Sequence, residues 1–116
     1  MGYYATMGLV LSKDGEQQLK ARISSLTKEQ ATVAHSFLKY ADQKKTHRKT
    51  GAKMLIWNAV KEGDDFSLFF RRVVRSLPYE TYKLLRIGDS LDDNLEEGDF
   101  LDDPFYLHIE RTLAFE

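Results

Sequence analysis

Six apolar residues, Phe66, Phe69, Phe70, Val73, Val74 and Leu77, fall at i, i+3, i+4, i+7, i+8 and i+11, and Pro78 follows at once. That spacing puts all six on one wide stripe of a helix, which the proline cannot continue. So broad an apolar face must lie against a larger apolar surface supplied by the rest of the chain. Alternation and β-branched content predict that this surface is a sheet. Tyr3, Ala5, Met7, Leu9 and Leu11 alternate along a first strand; 54–60 and 82–87 read as a second and a third, and 105–113 as a fourth. In the last, Phe105, Leu107, Ile109 and Leu113 share a face with Arg111, opposite Tyr106, His108, Glu110 and Thr112.

Two more helices are predicted after the first strand. Ser12 is an N-cap ahead of the stripe Leu19, Ile23 and Leu26. Thr27-Lys-Glu-Gln30 has the capping-box pattern and precedes the stripe Ala34, Phe37, Leu38 and Ala41. The pattern then collapses between residues 43 and 53 into a polar basic loop. The element order β-α-α-β-α-β-β predicts an α+β domain spanning 1–116 as a single unit. It has two layers, a four-stranded, mostly antiparallel sheet with three helices on one face. Trp57 reads as a core aromatic, and Gly88 and Gly98 as turn residues.

Charge is segregated. Eight of the fifteen residues from Asp89 to Asp103 are acidic and none is basic: Asp89, Asp92, Asp93, Glu96, Glu97, Asp99, Asp102 and Asp103. The other residues hold 10 acids against all 17 bases, so a net charge of -1 conceals a basic body joined to an anionic segment. Such a field favours a charged partner. Closely spaced carboxylates can imitate the phosphate array of a nucleic acid, whose repeat along one strand is on the order of 7 Å, and so occupy a basic groove. The same oxygens, at Asp89, Asp92, Asp93, Glu96 and Glu97, could ligate Ca²⁺ or Mg²⁺, but EF-hand spacing is absent and no metal site is assigned. They could also neutralise the chain's own basic surface, such as 44–53.

The basic stretch gives a second candidate. Lys44, Lys45, Arg48, Lys49 and Lys53 can contact phosphates, although no interleaved aromatic is present to stack on bases. Arg71, Arg72 and Arg75 flank the apolar stripe of the third helix and can meet an acidic partner, the acidic segment of the same chain, or that of a second copy in a homodimer. Catalysis finds little support. His35, His47 and His108 are scattered, His108 and Glu110 share a strand face, and no phosphate loop or nucleophile elbow is present. No enzyme activity, catalytic residue or cofactor is expected. The chain has no cysteine, which excludes disulfides and thiolate chemistry and suits a reducing compartment. No apolar run approaches the roughly 20 residues that cross a bilayer, and Met1-Gly-Tyr-Tyr lacks a secretory n-region.

Gly2-Tyr-Tyr with Gly8-Leu-Val-Leu-Ser-Lys-Asp14, Leu55-Ile-Trp57, and Asp64-Asp-Phe66 ahead of an apolar helix resemble segments of a family of small phage-encoded proteins. Arg86-Ile-Gly-Asp89, Glu97-Gly-Asp99 and Tyr106-Leu-His-Ile-Glu-Arg111 are similar to its C-terminal signature. Outside Lys13 and Asp14, residues 13–52 match nothing in it. The resemblance implies a protein of the host-cell cytoplasm that binds a host protein and redirects or inhibits it, the class that includes anti-defence proteins. The eight acids would form the contact, with nucleic-acid binding by the basic loop as the alternative.

Overall fold

The computed structural model describes residues 4–88, 93–110 and 113–116. Strands β1 (Tyr4–Leu11), β2 (Gln43–Thr46), β3 (Lys53–Lys61), β4 (Tyr82–Ile87) and β5 (Asn94–Glu97) form one sheet in the order β2-β3-β1-β4-β5. Every neighbouring pair is antiparallel. Helices α1 (Lys13–Ser24) and α2 (Lys28–Lys39) follow β1. The third helix, α3, runs from an α turn (Asp64–Phe66) through a π-helical stretch (Ser67–Val73) to a 3-10 turn (Val74–Ser76). Strands β6 (His108–Ile109) and β7 (Leu113–Ala114) form a separate antiparallel pair.

The caps are where the sequence puts them. The Ser12 hydroxyl accepts from the Gly15 N–H, and the Thr27 hydroxyl from Gln30, whose side chain accepts from the Thr27 N–H in return. Ala5, Met7, Leu9 and Leu11 of β1 face the helices, as the alternation predicts. They pack with Leu55, Trp57, Leu84, Leu19, Ile23 and the six residues of the third helical stripe, all buried. Phe37, Trp57, Phe66, Phe69 and Phe70 interlock there with ring centroids about 5–6 Å apart, and each fully buried phenylalanine contributes about 1.5–3 kcal/mol. The indole N–H of Trp57 donates to the Phe37 carbonyl at 2.9 Å, so this aromatic is buried with its polar group satisfied.

The expectation of four strands in two layers is corrected in three places. Residues 43–46, assigned to a loop, form edge strand β2; Lys44 and Lys45 pair opposite Leu55 and Met54. Their polarity hides a strand because every β2 side chain is exposed. The acidic connection likewise contains a strand, β5, at the other edge. Of residues 105–113, assigned to a fourth strand, Arg111 and Thr112 lie outside the described residues, and the described ones (105–110 and 113) do not join the main sheet. They cross its second face, where Phe105, Leu107, Ile109 and Leu113 pack on Val10, Met54, Ile56 and Leu85. The alternation is real, with Phe105 and Leu107 buried and Tyr106 and His108 exposed, but it describes a strap across a sheet. Gly8 marks the closest approach, since a Cβ there would lie 2.9 Å from both Leu107 and Leu113.

Candidate interaction surface

The acidic segment divides into pieces with different surroundings. Asp89 and Asp92 lie outside the described residues. Asp93 pairs with Arg86, Oδ1 lying 2.7 Å from Nη1, and Glu97 pairs with Arg75. Asp103 is buried, with Lys83 Nζ 2.6 Å from Oδ2. Three of the six described acids are therefore bound by the chain's own cations, and among the described residues these are Arg75, Lys83 and Arg86 rather than Lys44–Lys53. Glu96, Asp99 and Asp102 are exposed and have no ion pair among the described residues.

Glu62, at the end of β3, organises the neighbouring charges. Its carboxylate accepts from Arg86 Nε at 3.1 Å and from Arg71 Nη2 at 3.3 Å. Arg71 and Arg75, which would repel as i, i+4 neighbours, each have their own carboxylate. Hydrogen bonding to Asp93 pushes the Arg86 guanidinium above its ordinary range. Burial pulls the other way, and Glu62 adds to the upward push. Arg71, Arg75, Arg86, Asp93 and Glu97 rim a shallow cleft of about 400 Å³ floored by Met7, Phe66 and Phe70. Its charges are largely satisfied within the chain, so they fasten β5 to α3 and β3 rather than wait for a ligand.

Asp103 shapes the backbone from Phe105 to Leu107. Its carboxylate accepts from the Phe105 N–H at 2.7 Å and the Leu107 N–H at 2.8 Å, while Lys83 also donates to the Leu107 carbonyl at 2.8 Å. Gathering the N–H groups on either side forces Tyr106 outward at φ 50, in the left-handed region that side chains rarely adopt. Tyr106 is 63% exposed, and Leu101 nearby in the chain is 84% exposed. Leu95 on β5 and Tyr79, whose carbonyl accepts from the Asp99 N–H, are exposed too. Along the chain the exposed carboxylates therefore alternate with exposed apolar residues, Leu95 before Glu96 and Leu101 before Asp102. Sequence reasoning missed these residues because alternation placed Tyr106 on a solvated strand face. The one available signal was Asp103-Pro104, a pair with strong turn chemistry.

The basic candidates are brought together only in part. Lys44 Nζ donates to the Lys39 carbonyl at 2.7 Å, Lys45 Nζ lies 4.7 Å from the centre of the Phe115 ring, and Lys53 pairs with Glu16 at 3.1 Å. Arg48 and Lys49 occupy the exposed β2–β3 turn. Lys20 also pairs with Glu16, at 3.0 Å. Burial alone would raise the Glu16 carboxyl, but hydrogen bonds from Lys20 and Lys53 overcome it and hold the group below its ordinary range.

His108 Nε2 lies 3.1 Å from Glu110 Oε1, and Nδ1 lies 2.7 Å from the Tyr106 carbonyl. Both side chains are exposed. Among the described residues, no group of three or more His, Asp and Glu side chains is placed to hold a metal ion, and no helix is long and apolar enough to cross a membrane. Family models, characterised proteins and solved structures offer no match to this chain.

Proposed function

We propose that this chain is a small phage-type protein that binds a host macromolecule and inhibits or redirects it, using the exposed part of its acidic segment as the contact. The observation that carries this reading is the division of the acids. Internal cations hold Asp93, Glu97 and Asp103, whereas Glu96, Asp99 and Asp102 face solvent in a part of the chain where Leu95, Leu101 and Tyr106 are exposed as well. Internal pairing fixes the backbone on which the remaining carboxylates sit, which lowers the ordering cost of binding. A tyrosine and leucines among carboxylates suit a protein surface with basic and apolar patches, since aromatic anchors carry much of the energy of such contacts. Any resemblance to nucleic acid would lie in the carboxylates alone. The basic stretch supports the nucleic-acid alternative less well, because Lys44, Lys45 and Lys53 already have partners.

The test is affinity capture from bacterial lysate with the wild type and with an E96Q/D99N/D102N variant. A host protein held by the wild type and lost by the variant supports the reading. Release of that protein by duplex DNA assigns the mimicry to the carboxylates. Equal capture by both chains overturns it.

A further inference from the structure

We infer that the two outer edges of the sheet recognise each other, so that β2 of one molecule takes β5 of a second copy as its next strand. Among the described residues β2 pairs only with β3, and β5 only with β4. Each edge strand is four residues long. The His47 N–H donates to the Ala52 carbonyl. Alternation of bonded and non-bonded pairs along an antiparallel ladder then turns the main-chain groups of Gln43 and Lys45 toward β3, and those of Lys44 and Thr46 toward solvent. At the other edge the Gly88 N–H donates to the Asp93 carbonyl. The same alternation turns the main-chain groups of Glu96 outward.

These two edges fit in an antiparallel register that sets residues 43–45 against 95–97. Lys44 falls opposite Glu96 as a hydrogen-bonded pair, with Lys45 opposite Leu95 and Gln43 opposite Glu97 on either side of it. The faces agree as well. Lys44 lies on the helical side of its sheet, opposite Leu55, and Glu96 lies on the strap side, opposite Leu85. Antiparallel addition of a β5 edge to a β2 edge turns the second molecule over, which brings those two sides together. Glu97 keeps its bond to Arg75 in this arrangement.

Short, charged edges are a common defence against sheet-to-sheet pairing, and each edge here deters its own copy. Two β2 edges set Lys44 against Lys44 or Lys45 against Lys45, and two β5 edges centred on Leu95 set Glu97 against Asp93. The unlike edges attract, and opposite charges directly across a ladder are stabilising. The contact is heterologous, so it propagates into open chains rather than closing on a dimer.

The experiment is sedimentation of the full chain at low salt and millimolar concentration, with K44E, E96K and their equimolar mixture. The wild type is expected to grow in mass with concentration. Each variant alone should associate about ten-fold more weakly, because an attractive cross-strand pair becomes a repulsive one. The mixture should recover wild-type growth, since each reversed charge then meets its complement. Recovery also shows that both variants are folded. A wild type that stays monomeric, or variants that associate as it does, overturns the inference. The host contact is judged separately, because K44E leaves Glu96, Asp99 and Asp102 intact and should still capture a host protein if the proposed function holds.

Discussion

Lys83 on β4 and Asp103 at the start of the strap form an ion pair 2.6 Å long, and Asp103 is 5% exposed. Through this pair the sheet grips the segment that covers its second face. The same carboxylate holds the two N–H groups that make Tyr106 protrude. Removing one partner of a buried pair costs more than the pair contributes, because the other charge is left without compensation. Asp103→Ala is therefore expected to lower unfolding stability by about 3–5 kcal/mol in a denaturant titration. A loss below about 1 kcal/mol would show that the strap is held by its apolar contacts alone.

Glu62 should matter more than any single arginine around it. It is 11% exposed and serves both Arg71 and Arg86, whereas the Arg71 side chain is 54% exposed. Glu62→Ala is expected to cost about 1–3 kcal/mol, and Arg71→Ala no more than about 1 kcal/mol. Thermal melts of the two variants check the order, and an equal or reversed order would contradict it.

Acid should weaken the α1–β3 contact. Lys20 and Lys53 hold the Glu16 carboxyl below its ordinary 4.5. Its contribution is thus fully present above that value and disappears as pH falls through the lower value of the folded state. Glu16→Gln should lower the neutral plateau by what the pairing contributes and so flatten the acid limb, the two proteins converging at low pH. An unchanged acid limb would remove Glu16 from the account.

His108 titrates in the opposite sense. Its bond to the Tyr106 carbonyl, and then its bond to Glu110, push it above the ordinary 6.5, against the opposing effects of desolvation and of Lys83. The stabilisation is complete below 6.5 and fades as pH rises through the higher folded value. The imidazole resonances of His108 should titrate later than those of a model histidine, and Glu110→Gln should move the midpoint back toward 6.5. A midpoint at or below 6.5 in the wild type would contradict the hydrogen bonding described.

The α+β class, the three helical stripes, both caps and three of the strands were legible because periodicity and capping chemistry act locally. Gly98 was legible as a turn for the same reason; its φ of 89 ends β5, and a Cβ there would lie 2.1 Å from the Tyr82 carbonyl oxygen. The edge strands were not legible. Every β2 side chain is exposed, so polarity reports solvent and says nothing of backbone pairing. The strap was misplaced because Phe105, Leu107, Ile109 and Leu113 alternate just as a sheet strand would, and alternation does not say which apolar surface a segment meets. Within the acidic segment, charge density was plain, but the pairing of Asp93, Glu97 and Asp103 depends on cations on β4 and α3 that tertiary structure brings close.

The central claim is that Glu96, Asp99 and Asp102 form a contact surface rather than a diffuse negative field. Binding of a captured host protein to the E96Q/D99N/D102N variant, beside a control neutralised equally elsewhere as D14N/E29Q/E80Q, tests it most directly. The account predicts that the first variant loses binding while the control, with the same net charge, binds as the wild type does. Equal loss in both would contradict it, because net charge alone would then explain the contact.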